Sequence, residues 1–192
     1  MNEKLDTAGR DLPNFASEIR ALVGKDKKLP PVNEWHPERE GEIDIRIAKD
    51  GSWFYRGDKM ERQSIVTLFS GILRKDGDDY FLVTPVEKMK ISVDDAPFVV
   101  CMVDVEGVGE NQKIHFSTNT GDVITLSSKH SLDVQYNQKN EPMPYVIVRG
   151  GLKALISRKV YYELAELVVN PDEESVDKFG VWSEGEFFVL SN

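Results

Sequence analysis

The sequence predicts a β-rich α+β protein built from a duplicated unit. Three observations predict it. Short apolar-alternating segments recur with glycine turns between them, and two later segments switch to helical spacing. The order strand, turn, strand, helix, strand, turn, strand then occurs twice along the 192 residues.

Taken in order, residues 11–23 place Leu12, Phe15, Ile19, Leu22 and Val23 at helical spacing. Asp11 can cap this helix, Pro13 is tolerated in its first turn, and Gly24 stops it. The amphipathic face is expected to pack on the body rather than to serve as a partner-binding arm. A basic, proline-bearing linker runs from Lys25 to Val32. Ile43, Ile45 and Ile47 alternate with Asp44 and Arg46, the pattern of a half-buried strand. Asp50-Gly51 is a hairpin turn and Trp53-Phe54-Tyr55 the return strand. Met60, Ile65, Leu68, Phe69, Ile72 and Leu73 recur at helical spacing, so a helix is predicted over roughly 59–71. After a turn at Asp76-Gly77, Tyr80 to Val83 is a strand stopped by Thr84-Pro85.

Tyr145 to Val148 and Leu152 to Ile156 form the second copy's hairpin around Gly150-Gly151. Val160, Tyr161, Leu164, Leu167 and Val168 give its helix. An acidic loop spans Asn170 to Asp177, and Phe179–Trp182 with Phe187–Leu190 form the closing hairpin. Ile65 and Leu68 align with Leu164 and Leu167. Between the copies, Val86–Val93, Phe98–Val105, Lys113–Thr118, Asp122–Leu126 and Leu132–Tyr136 read as strands. The predicted organisation is an N-terminal helix and linker (1–32), a first repeat domain (33–97) and a second domain containing the second repeat (98–192). Two copies are too few for a solenoid and suit a pseudo-symmetric pair of packed domains.

Composition narrows the function. A net charge of -9 repels phosphate backbones, which disfavours duplex nucleic acid as a partner. A single cysteine, Cys101, excludes an intrachain disulfide and a multi-cysteine metal site, and fits a reducing compartment. Its apolar neighbours, Val99, Val100, Met102 and Val103, predict a buried core thiol. The first ten residues are polar and acidic without a signal-like apolar run, and no run reaches the length of a spanning helix. A cytoplasmic protein is expected.

No cluster spells out a reaction. His36, His115 and His130 lack metal-ligand spacing, so neither metal nor cofactor is expected. There is no nucleophile elbow, and Gly107-Val108-Gly109 is no dinucleotide fingerprint. Arginines beside glycines and aromatics are more suggestive. Arg46, Arg62, Arg149 and Arg158 carry guanidinium forks that match phosphate or carboxylate. Gly150 and Gly151 let backbone N–H groups approach an anion. Trp53 and Tyr55, with Tyr161 and Trp182, offer stacking surfaces.

These segments also carry a resemblance. Ile43–Ile47 with Asp50–Tyr55, Tyr80–Lys88, Val93–Phe98, Tyr145–Leu152 and Phe179–Ser183 resemble the bacterial uncharacterised family DUF1285, over roughly residues 30–190. The resemblance implies a duplicated two-domain fold whose C-terminal half is superficially pleckstrin-homology-like. It further implies a ligand site at the domain interface for a nucleotide-like molecule, and a signalling role. The expectation is therefore a non-catalytic ligand-binding or regulatory protein that grips a small anionic ligand through Arg46, Arg62, Arg149 and Arg158, with Trp53 and Tyr55 stacking. Two alternatives stand beside it: a hydrolase using Asp94 or Asp95 with His115 or His130, and an interaction scaffold docking a protein partner through the N-terminal helix or a strand edge.

Overall fold

The computed structural model describes residues 12–23, 29–171 and 179–191. The expected cap Asp11, the stop Gly24, residues 24–28 of the linker and the acidic loop from 172 lie outside them. The chain divides into two compact units, Met1–Pro97 and Phe98–Asn192.

In the N-terminal unit, α1 (Leu12–Val23) is followed by β1 (Arg39–Ile47), β2 (Trp53–Tyr55) and β3 (Asp58–Lys59). Then come α2 (Gln63–Gly71), β4 (Leu73–Asp76), β5 (Asp79–Val83) and β6 (Glu87–Val93). The six strands form one sheet in the order β3-β2-β1-β6-β5-β4. It consists of two antiparallel meanders joined by a parallel pair, β1 with β6. Alternation decides which face is covered. Ile43, Ile45 and Ile47 of β1, Met89 and Ile91 of β6 and Leu82 of β5 are buried. Phe15, Ala16 and Ile19 of α1 and Ile65, Val66 and Phe69 of α2 are buried too. Phe15 meets Phe69 at 5.5 Å between ring centroids, so α1 packs on this unit as its apolar face predicts.

The helix predicted over 59–71 begins later, at Gln63. Arg56 and Gly57 both adopt positive φ (51° and 84°), the geometry of a tight hairpin turn. The chain therefore folds back so that Lys59 pairs with Phe54 and Asp58 with Tyr55, and these residues become β3.

The C-terminal unit contains β7 (Phe98–Glu106), β8 (Lys113–Thr118), β9 (Val123–Thr125), β10 (Leu132–Tyr136), β11 (Pro142–Arg149) and β12 (Leu152–Ile156). It ends with α3 (Arg158–Ala165), β13 (Phe179–Ser183) and β14 (Glu186–Ser191). Its sheet runs β10-β11-β12-β7-β8-β9, again two meanders joined by a parallel pair, β12 with β7. The strand-strand-helix-strand-strand order expected from the sequence is present in both units. The sheets reveal a further likeness: in each, the first strand pairs parallel with the sixth. The units differ in the placement of the hairpin after the helix. The hairpin β4–β5 joins the first sheet, whereas β13–β14 forms a separate two-stranded sheet.

That extra hairpin is fixed by polar bonds. The buried Ser183 hydroxyl donates to the Leu126 carbonyl at 2.7 Å and accepts from the Ile114 N–H at 3.1 Å. Gln112 donates to the Trp182 carbonyl at 2.9 Å. Its inner side chains, Val181, Phe188 and Leu190, are buried in the unit that also buries Phe98, Ile114, Phe116, Val160 and Leu164.

Cys101 is exposed, not buried as its neighbours suggested. The β7–β8 register shifts between Val100 and Met102, so a bulge interrupts the alternation. Cys101 and Met102 both turn to solvent, and the thiol reaches the Ser117 carbonyl at 3.4 Å.

Candidate functional site

The eight residues singled out by the sequence fall in two groups. Arg46, Trp53, Tyr55 and Arg62 belong to the N-terminal unit; Arg149, Gly150, Gly151 and Arg158 belong to the C-terminal unit.

Arg46 projects from the polar face of β1. Its Nε donates to Asp94 Oδ1 at 2.8 Å and its Nη2 to Oδ2 at 2.5 Å. This fork holds the Asp94 carboxyl below the usual carboxylate range and raises the Arg46 guanidinium above its own. The carboxylate considered for acid–base chemistry is thus held by an arginine. Trp53 is 1% exposed and lies 6.5 Å from Phe69 between ring centroids. It is a core residue rather than a stacking platform, because position 53 falls on the covered face of the sheet. Tyr55 is half-buried, with the Arg56 guanidinium 5.1 Å from its ring centre. Arg62 is exposed where the chain enters α2.

Arg149 ends β11 and is ion-paired with Asp122, whose side chain is 14% exposed against 21% for the arginine. Asp122 also accepts from the hydroxyls of Thr118 and Thr120, at 3.3 and 2.9 Å. The guanidinium stacks 4.8 Å from the Phe98 ring centre. Burial lowers its pKa, and the Asp122 charge opposes that shift. Arg149 therefore joins β11 to the β8–β9 turn. Gly150 and Gly151 make the β11–β12 turn with φ of 50° and 76°. Arg158 differs from these. Its side chain is 79% exposed, and its Nη2 lies 3.6 Å from Glu141 Oε1.

The histidines have structural partners. His115 Nδ1 lies 2.9 Å from the Thr125 hydroxyl, and His130 Nδ1 lies 3.0 Å from the Ile147 carbonyl oxygen. Among the described residues no group of three or more His, Cys, Asp or Glu is placed to hold a metal ion. Among them, too, no helix is long and apolar enough to cross a membrane.

A cavity among the described residues lies within the C-terminal unit. It is a groove of about 420 Å³ lined by Leu132, Asp133, Val134 and Tyr136 of β10 and by Phe187, Phe188, Val189 and Leu190 of β14. Its volume falls within the range of small-molecule sites, roughly 300–1,000 Å³. The topology explains it. Among the described residues β10 is the outer strand of the six-stranded sheet and β14 pairs only with β13, so each presents an edge without a ladder partner there. Tyr136 and Val189 expose apolar surface here, while Phe188 and Leu190 are largely buried beneath it.

Helix α3 touches both walls. The Tyr161 hydroxyl donates to the Leu190 carbonyl at 3.1 Å. Burial, then the Tyr136 phenol, pushes the Tyr161 phenol upward in pKa. At the far end of β10, Glu141 accepts from Asn137 Nδ2 at 2.8 Å while facing Arg158. Of the sequence-selected residues, Arg158 lies on this helix, three positions before Tyr161. Tyr136, Phe187 and Val189 were not singled out. The signal that could have found them is an alternating segment, Leu132–Tyr136, ending in an exposed tyrosine.

Comparison with known proteins fits this architecture. The chain matches the model of the DUF1285 N-terminal domain, a domain of unknown function, over residues 30–96. It matches the DUF1285 C-terminal domain, from a protein of unknown function, over residues 97–190. It is similar to the crystal structure of a DUF1285 family protein from Silicibacter pomeroyi DSS-3. That similarity has 42% identity, a TM-score of 0.86 and 96% of each chain covered. A DUF1285 family protein from Shewanella baltica OS155 is similar at 29% identity and a TM-score of 0.50, over 64% of this chain and 90% of that one. Among curated proteins none matches.

Proposed function

The chain belongs to the DUF1285 family, and from that premise we propose that it is a non-catalytic, regulatory ligand-binding protein whose ligand occupies the groove between β10 and β14. The observation that carries this reading is the groove itself: a concave site of about 420 Å³ whose lining combines Leu132, Val134, Tyr136 and Phe187 to Leu190 with the polar group of Asp133. A flat ring fits such walls, lying against Phe187 and Tyr136. Arg158, on the helix that touches both walls, supplies a cation for a negatively charged group. Its exposed pairing with Glu141 at 3.6 Å is weak and exchangeable. This combination matches a small anionic, nucleotide-like ligand. The partners of Asp94, His115 and His130 give those groups structural tasks, which supports binding over hydrolysis.

Thermal-shift titration with nucleotides and aryl phosphates tests the reading. A ligand at 100 times its Kd stabilises the folded state by about 2.7 kcal/mol, so a cognate ring-bearing anion raises the melting temperature measurably. Val189→Arg, which fills the groove, is expected to abolish that rise. Absence of any rise in the wild-type chain at millimolar ligand sinks the proposal.

A further inference from the structure

Resting on the reading of the groove as a ligand site, we propose that the Arg158–Glu141 ion pair is an autoinhibitory latch. The protein's own carboxylate occupies the cation that an anionic ligand needs, and engaging Arg158 frees the β10 wall.

The two walls are held very unequally. β14 buries Phe188 and Leu190, accepts a hydrogen bond from Tyr161 and belongs to a hairpin pinned through Ser183 and Gln112. β10 has no fully buried residue and, among the described residues, pairs with β11 alone. A strand with little buried apolar surface at a sheet edge opens at low free energy. At its turn end β10 is held by its ladder to β11, down to Tyr136 opposite Pro142, and the bond that leaves the turn for α3 is made by Glu141. One oxygen of Glu141 accepts from Asn137, the residue after Tyr136, and the other faces Arg158 on α3. The Asn137 side-chain oxygen in turn accepts from the N–H groups of Lys139 and Glu141, at 2.9 and 3.0 Å, so the turn moves as a body. Helix α3 is thus clipped to the β14 wall by Tyr161 and to the β10–β11 turn by Arg158.

An anion at Arg158 cannot share the guanidinium with Glu141 without like-charge repulsion. Glu141 leaves, the clip on the β10 side is lost, and the β10–β11 turn gains freedom. Both partners are well exposed, at 79% and 47%, so the exchange is graded and small. The contribution of such a pair corresponds to roughly a two- to five-fold change in an equilibrium.

Hydrogen–deuterium exchange on the full chain tests the latch without any ligand. Glu141→Gln and Arg158→Gln are each expected to speed exchange in residues 132–141 roughly two- to five-fold, while residues 186–191 keep their wild-type rates. The double variant is expected to add nothing beyond either single one, because the two share one interaction. Wild-type rates in both single variants, uniform acceleration across the C-terminal unit, or additive effects in the double variant overturn the latch. Competition is read separately with inorganic pyrophosphate. Glu141→Gln is expected to bind it roughly two- to five-fold more tightly than wild type, and unchanged or weaker binding overturns the competition. If neither form binds pyrophosphate, the anionic part of the ligand reading fails with the competition, and the exchange rates alone decide the clip.

Discussion

The two units share a sheet topology and differ in how the sheet is covered. Each joins two three-stranded meanders through a parallel pair between its first and sixth strands. In the N-terminal unit the helix α2 lies between the meanders in chain order and, with α1, supplies the buried aromatic Phe69 and its partner Phe15. In the C-terminal unit the helix comes after the completed sheet, and a further hairpin comes after the helix. That appended hairpin brings a second strand edge beside the β10 edge, and the groove lies between them. The difference shows how one sheet topology, with two strands added, gains a second strand edge and a groove beside it.

If the two units are equivalent in kind, truncating a deep aromatic in each, Phe69 of α2 and Phe116 of β8, should have similar effects. Phe69 and Phe116 are both 0% exposed. Phe69→Ala and Phe116→Ala are each expected to cost about 3–5 kcal/mol, measured by urea unfolding. A large disparity between them would break the equivalence. Gly180→Ala probes the appended hairpin. A Cβ there would overlap the Phe188 carbonyl oxygen and approach Phe187 Cζ at 2.8 Å, and the backbone cannot yield as a flexible side chain would. The expected loss is about 1–3 kcal/mol, with faster exchange in β13 and β14 and the core amides of the N-terminal unit unaffected.

The smallest effect concerns charge. In the N-terminal unit Asp76 accepts from Arg74 and Lys88, each at 2.9 Å. Burial works against its ionisation, but these two cations outweigh that and hold its pKa below the ordinary 3.8. Because the folded value is depressed, its contribution is present above about pH 4 and is lost as the pH falls through the folded pKa. Asp76→Asn is therefore expected to lower stability at neutral pH and to flatten the acid limb below pH 4, read from urea midpoints across pH. An unchanged acid limb would remove Asp76 from the account.

Much of the fold was legible in the sequence because period-two alternation and glycine turns are local signals. The segments at Trp53–Tyr55, Lys113–Thr118, Leu132–Tyr136 and Leu152–Ile156 are strands with the expected bounds. β4 was missed because Leu73–Asp76 is polar after its first residue and comes after α2 with only Ile72 between. The late start of α2 depended on a positive φ at Arg56, a non-glycine residue that gives little advance signal. The arginines were harder. Arg46 finds Asp94 48 residues away and Arg149 finds Asp122 27 residues away, and such pairings arise only when distant strands meet. The groove is less legible still, since each wall is an ordinary strand and the space depends on their juxtaposition.

The parallel seam bears on how the chain emerges during synthesis. Glu40 pairs with Lys88, 48 residues later, and Phe98 with Ala154. Neither sheet can zip from its start; each waits for its last strand before the centre forms, a long-range closure of the slow kind. The first sheet has all its strands by Val93, before the first strand of the second begins at Phe98, so the two sheets are completed in order along the chain. Closing each seam inside its own unit keeps two nearly identical topologies from trading strands while both are still unfinished.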